Sequence, residues 1–398
     1  MMVCVFALFA CTLVSAQVGT TTPQMEGASS TRYTVWSDAG KADATALVAT
    51  LEGLFTVFND YFRFDESMLK ATLTVRKFSD KTWFDTYLRQ VIGQTKEDFV
   101  YLHYPTAERS ELVIFAKDSP EDFDASLAHQ AFVQFFKAFI PEPPLWMREG
   151  FAVFFEKTGK DALTGQVVYR ENQAWLETVK QLKTQNRLYR IEDLMMLTPD
   201  DAREGLDVFY PQSWALVSFF LNSPDRRYNR YIWDAIKLLK TDATLEQNQQ
   251  TLQSFFLRWH GSQAAGSDFL VYLDAQKTFA ELVTSGVRTY GEKDLETASK
   301  QFRQALTKNP ASYIPQYYLG LIAYASNDYA LAEEYYRTAL ELGSDVAITN
   351  YALGINAFAS RRYDDAREFL KRAANNDPTR YQAKADEVLA RIPAAPGM

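Results

Sequence analysis

An α+β domain with a small N-terminal sheet and a helical second half, followed by an all-α solenoid of helical repeats, is the architecture this sequence predicts. Three observations predict it. Short alternating apolar segments lie early in the chain, amphipathic helical segments fill its middle, and small residues recur every 34 positions towards its end. With 398 residues, of which 47% are hydrophobic, the chain is long enough for about two domains with cores of their own.

Residues 2 to 13 are almost wholly apolar, and Val14-Ser15-Ala16 supplies the small residues that a signal peptidase needs before Gln17. The run is too short to remain as a membrane span, so residues 1–16 are expected to be a signal peptide, with periplasmic or secreted delivery. Both cysteines, Cys4 and Cys11, fall inside it, and a chain cleaved after Ala16 has no disulfide or cysteine–metal site. Leu8-Phe9-Ala10-Cys11 is a loose lipobox. Lipid attachment at Cys11 would make the product a lipoprotein, and this is the one route to a membrane that the sequence offers. The formal net charge of −8 and the lack of a basic run argue against a nucleic-acid partner.

Residues 17–31, rich in Thr, Ser and Gly, read as a flexible linker, and the fold is expected to begin at Arg32. Residues 32–37 and 71–78 read as strands. A helix over 41–63 separates them, with Leu47, Leu51, Leu54, Phe55 and Phe58 on its apolar face. Residues 99–104 and 111–116 read as a further strand pair joined by a polar turn. Downstream, 171–182, 206–222, 229–240 and 245–260 read as amphipathic helices.

The segment Leu127–Glu156, LAHQAFVQFFKAFIPEPPLWMREGFAVFFE, carries the main functional signal. A helical His-Glu-x-x-His puts two imidazoles on one helix face, where both bind one Zn²⁺ while the Glu takes a proton from the metal-bound water. Here His129 holds the first position, Gln130 replaces the general base, and Val133 replaces the second histidine. The continuation Leu-Trp-Met-Arg-Glu-Gly-Phe-Ala closely resembles the Trp-Leu-x-Glu-Gly-x-Ala-x-Tyr segment of the peptidase MA-like, or gluzincin, family, with Glu149 at the third-ligand position.

That resemblance implies a gluzincin-like domain over residues 32–272, in which the sheet's edge strand holds extended peptide. It also puts Tyr210, in Phe-Tyr-Pro-Gln-Ser-Trp, where these peptidases often carry an oxyanion donor; packing at a helix end is the other reading of that tyrosine. Two protein ligands are too few for a catalytic zinc. Gln cannot accept the proton that a carboxylate accepts, and Val133 has no lone pair. No cofactor and no catalytic residue are therefore expected, with His129, Gln130, Val133, Glu149 and Tyr210 as remnant positions. His129 also reads as a core histidine on a helix whose other face is Phe132, Phe135, Phe136 and Phe139.

The third part rests on period. Gly286, Gly320 and Gly354 are 34 residues apart, as are Ala298, Ala332 and Ala366, and then Ala305, Ala339 and Ala373. A 34-residue period with small residues at those places resembles the tetratricopeptide signature. Phe302, Tyr336 and Leu370 hold its large position. Three repeats are expected over 279–380, with a capping helix over 381–392. By resemblance to other such arrays, Tyr317, Leu321, Tyr324, Tyr351, Ile355 and Phe358 would face the groove and receive a protein or peptide partner. A Lys/Asn/Arg clamp for a terminal carboxylate is not visible, which favours a helix or an apolar extended segment as the occupant.

Three functions follow. The first is an exported, non-catalytic pseudo-peptidase of the cell envelope that acts through protein–protein interaction or as a scaffold. The second is a zinc metallopeptidase whose rebuilt site joins His129 and Glu149 with His103, His260 or Glu156. The third is a purely architectural part, its groove aromatics packed on the chain's own first domain.

Overall fold

The computed structural model describes residues 23–161, 164–259 and 261–393. The leader with Cys4 and Cys11, and His260, lie outside the described residues. The chain divides into two compact units, one of residues 1–172 and 186–267 and the other of residues 173–185 and 268–398.

The first unit opens with β1 (Glu26–Ser29), β2 (Tyr33–Ser37), α1 (Lys41–Phe62), β3 (Leu73–Phe78), α2 (Lys81–Ile92), β4 (Val100–Leu102) and β5 (Glu111–Phe115). The strands form one sheet in the order β1-β2-β3-β5-β4. The central pairs β2–β3 and β3–β5 are parallel, and the outer pairs β1–β2 and β4–β5 are antiparallel. The lead-in over 17–31 is thus corrected: its last residues form an edge strand, with Glu26 opposite Ser37 and Ser29 opposite Thr34. Small residues serve there because a Cβ on Gly27 would stand 2.9 Å from the Trp36 ring. Composition alone reads such a segment as loop, whereas pairing with β2 supplies the order.

Next come α3 (Pro120–Phe139), α4 (Leu145–Phe155), the short pair β6 (Gly159–Lys160) and β7 (Val167–Val168), and α5 (Leu176–Thr184), which belongs to the second unit. Then follow α6 (Ile191–Leu194), α7 (Pro199–Glu204), α8 (Leu206–Asn222), α9 (Arg226–Leu238), α10 (Leu245–Trp259) and α11 (Ser262–Ala275), the last entering the second unit from Asp268. The domain expected over 32–272 stands beside this division, which falls between 267 and 268 and groups 173–185 with the second unit.

An aromatic core joins α1, α3 and α4. Phe58 meets Phe132 edge-on at 5.3 Å, Phe55 meets Phe135 at 5.1 Å, and Phe62 meets Phe151 at 4.8 Å. Each such pair adds roughly 0.5–1.5 kcal/mol beyond its burial. The pairs fix the axial rotation of α3, and hence the direction in which His129 points.

The second unit continues with α12 (Phe279–Gly291), α13 (Leu295–Lys308), α14 (Tyr313–Ala325), α15 (Tyr329–Glu341), α16 (Val346–Ala359), α17 (Tyr363–Asn376) and α18 (Pro378–Leu389). The periodic glycines lie where paired helices touch: a Cβ on Gly286, Gly320 or Gly354 would stand 2.8, 2.5 or 2.7 Å from Phe302, Tyr336 or Leu370. Glycine on one helix admits the large side chain of the next. Among the described residues, no helix is long and apolar enough to cross a membrane.

Candidate functional site: a histidine between two carboxylates

Serine caps α3, Ser119 Oγ accepting from the Asp122 amide, with Pro120 in the first turn and Glu121 and Asp122 favouring the positive end of the helix dipole. Two turns on, His129 faces α4. Its Nε2 lies 3.2 Å from Glu149 Oε2, and its Nδ1 lies 3.5 Å from Glu156 Oε1. Glu149 is held in turn by Arg148, whose Nε donates to Oε1 at 2.6 Å. Asn172 Nδ2 donates to Glu156 Oε2 at 2.8 Å and to the Val153 carbonyl at 3.0 Å.

Gly150 lets α4 carry Glu149 to this place. A Cβ there would stand 2.5 Å from the Ser213 carbonyl oxygen and 2.8 Å from Val217, so α4 and α8 approach as closely as two backbones can. The same approach brings Tyr210, one turn before Ser213 on α8, to a ring separation of 6.3 Å from His129.

Burial alone would push the His129 imidazole down. The hydrogen bonds and charges of Glu149 and Glu156 overcome this and raise it to about 9. Burial likewise opposes ionisation of Glu149, but Arg148 and then His129 hold its carboxyl down at about 2. Burial, with Glu149 adding to it, raises the Tyr210 phenol well above its ordinary value.

The residues do not fit a catalytic zinc. The two carboxylates lie against different nitrogens of one ring and do not converge on a point, and Arg148 occupies the other oxygen of Glu149. Val133, one turn past His129 and on the same helix face, is buried and apolar. Among the described residues, no group of three or more His, Cys, Asp and Glu is disposed to hold a metal ion. His103 belongs to another pocket, together with Gln134 and Lys137.

A cleft of about 510 Å³ opens beside Glu149, lined by Val100, Leu145, Arg148, Arg203, Leu206 and Tyr210. β4 ends the sheet order, so its outer edge has no strand neighbour among the described residues. The sequence motif does not point to Arg148 or Asn172. Arg148 stands beside Glu149, so adjacency could have drawn notice to it; Asn172 lies in a loop 16 residues beyond Glu156, and no local signal points to it.

In the second unit all six groove candidates are half-buried. Tyr317, Leu321, Tyr324 and Phe358 pack against one cluster that includes Tyr336 and Leu353, whereas Tyr351 and Ile355 pack towards Ala385 and Leu389 of α18 or its end. Tyr317 contacts the Tyr336 ring at 5.9 Å, and Tyr324 contacts Tyr329 at the same separation.

Residues 290–347 match the tetratricopeptide repeat family model. The tetratricopeptide match spans α13, α14 and α15 and reaches the start of α16, across the glycine–aromatic contact of Gly320 with Tyr336. Such helical-pair arrays present an extended surface suited to protein–protein interaction and scaffolding. The chain is similar to the first tetratricopeptide domain of Spaghetti (RPAP3), solved bound to an HSP90 peptide of sequence SRMEEVD. Identity is 16%, the TM-score is 0.27, and the match covers 29% of this chain and 90% of that one. No curated protein matches the chain.

Proposed function

We propose that this chain is an exported cell-envelope protein that does not hydrolyse peptides and acts through its tetratricopeptide array, with a peptidase-like cleft retained for binding. The observation that carries this reading is the engagement of both His129 nitrogens by carboxylates, with Gln130 and Val133 where a general base and a second ligand are needed. An imidazolium then supplies the positive charge that Glu149 and Glu156 require, and no dication or other cofactor is called for. The open edge of β4 beside the cleft favours a peptide held by strand addition. Periplasmic or secreted delivery rests on the apolar leader, and membrane attachment on lipidation of Cys11.

Zinc content of the purified chain after chelation and reloading tests the first half. The expected result is no stoichiometric zinc, either in the chain or in its His129→Ala, Glu149→Ala variant. Stoichiometric zinc that the variant loses would instead support a rebuilt metallopeptidase site with Glu156 as the added ligand. Photocrosslinking in the native envelope tests the array. A probe replacing Tyr324 is expected to give one discrete adduct that a probe replacing the exposed Lys300 does not; equal yields from both would overturn the groove as the docking face.

A further inference from the structure

A second pocket, of about 300 Å³, lies on the first unit beside the C-terminal half of α3. Leu69, Leu73, Tyr101, Phe139 and Pro141 give it an apolar body. Into this body α3 sends two polar groups, Gln134 and Lys137, which are 1% and 9% exposed. Three positions apart, they share one helix face with about 5–6 Å between their Cβ atoms.

The orientation of Gln134 is settled, because its Nε2 donates to the Thr74 carbonyl at 2.9 Å. Its Oε1 therefore presents an acceptor, and that atom is buried with no hydrogen-bond partner. His103 Nδ1 is in the same condition on the β4 side. Among the described residues Lys137 Nζ reaches one carboxylate, Glu142, at 3.4 Å. Buried polar atoms are nearly always satisfied in native proteins, and each one left open costs about 1–3 kcal/mol. A single structural water takes about 30 Å³, so a pocket of this volume is far larger than such a water needs and matches the lower range of ligand sites.

We infer that this pocket binds a small apolar carboxylic acid with a hydrogen-bond donor next to the carboxylate, of the N-acylamino-acid kind. The carboxylate meets Lys137, the neighbouring N–H donates to Gln134 Oε1, and the side chain fills the space between Leu73 and Phe139. His103 contributes a donor or an acceptor according to its tautomer. A free N-acylated amino acid and the carboxyl-terminal residue of a peptide present the same chemistry.

Calorimetric titration of the full chain with N-acetyl-L-leucine tests the assignment. Saturable binding is expected, at least about tenfold weaker for N-acetyl-L-leucinamide, which lacks the charge, and for 4-methylpentanoate, which lacks the N–H. Lys137→Met should lose binding to the same degree without a change in melting temperature, and Ala71→Phe, which fills the pocket, should abolish it. Tighter binding of a pentapeptide ending in leucine would assign the source as a protein terminus; equal or weaker binding would assign it as a free acid. Absence of saturation up to about 10 mM would overturn the proposal. So would affinity unchanged in both variants, or a crystal soaked with the probe in which waters alone bridge Gln134 and His103.

Discussion

His129 Nε2 and Glu149 Oε2 lie 3.2 Å apart, joining α3 to α4 through a largely buried ion pair. The pair makes stability depend on pH in both directions. The imidazole is raised from 6.5 to about 9, so its contribution is complete below about 6.5 and is lost as pH rises through 9. The Glu149 carboxyl is lowered from 4.5 to about 2, so its contribution is complete above about 4.5 and is lost as pH falls through 2. Denaturant unfolding should show this pair contributing fully between those limits, from about pH 4.5 to 6.5. His129→Ala should remove about 3 kcal/mol there, since it leaves Glu149 buried with Arg148 as its remaining partner. A variant whose loss does not shrink as pH rises from 6.5 to 9 would refute the ion pair.

Asn172→Asp should be destabilising although the two side chains have the same shape. Asn172 Nδ2 donates to Glu156 Oε2 and to the Val153 carbonyl from a buried position, and a carboxylate has nothing to donate. A loss of about 2–3 kcal/mol is expected at neutral pH, easing as the solution is acidified and the new carboxyl is protonated. Unfolding midpoints at pH 7 and pH 4.5 would check both the size and the sign.

Gly150→Ala should cost about 2–3 kcal/mol, because the new Cβ would meet a backbone oxygen of α8 that cannot rotate away. The separation of α4 from α8 should also move Glu149 relative to Tyr210, readable as a changed chemical shift of the His129 ring. Stability equal to the parent would mean that the two helices do not pack so closely.

Gly320→Ala should destabilise the array by about 1–2 kcal/mol despite alanine's better helix propensity, because the Cβ would lie 2.5 Å from the buried Tyr336 ring. Combining it with Tyr336→Leu should recover part of the loss. A double-mutant cycle with zero coupling would contradict the contact.

Much of the second unit was legible in the chain because a repeat writes its packing into its period. The glycines at 286, 320 and 354 face the large residues at 302, 336 and 370, and both sets share the 34-residue spacing. Helix α8 was likewise legible at both ends, from Leu206 to Asn222. Residues 171–182 read as an amphipathic helix and the helix formed is Leu176–Thr184, but amphipathicity reveals that a face is buried and not what buries it. Lys180 donates to the Gln276 carbonyl and to Glu281, which ties α5 to the start of the array.

The candidate site divides in the same way. That His129 and Glu149 lie on successive helices, and that Gln130 and Val133 lack the chemistry of a general base and a ligand, is determined by the sequence, since residue identity and helical spacing are local properties. That Glu156 reaches the second nitrogen of His129, that Arg148 and Asn172 hold the two carboxylates, and that Gln134 and Lys137 turn into a separate pocket were decided only by tertiary structure. Those contacts depend on the rotation and close approach of α3, α4 and α8, which long-range packing of phenylalanines and one glycine sets, and no short window of sequence contains both partners.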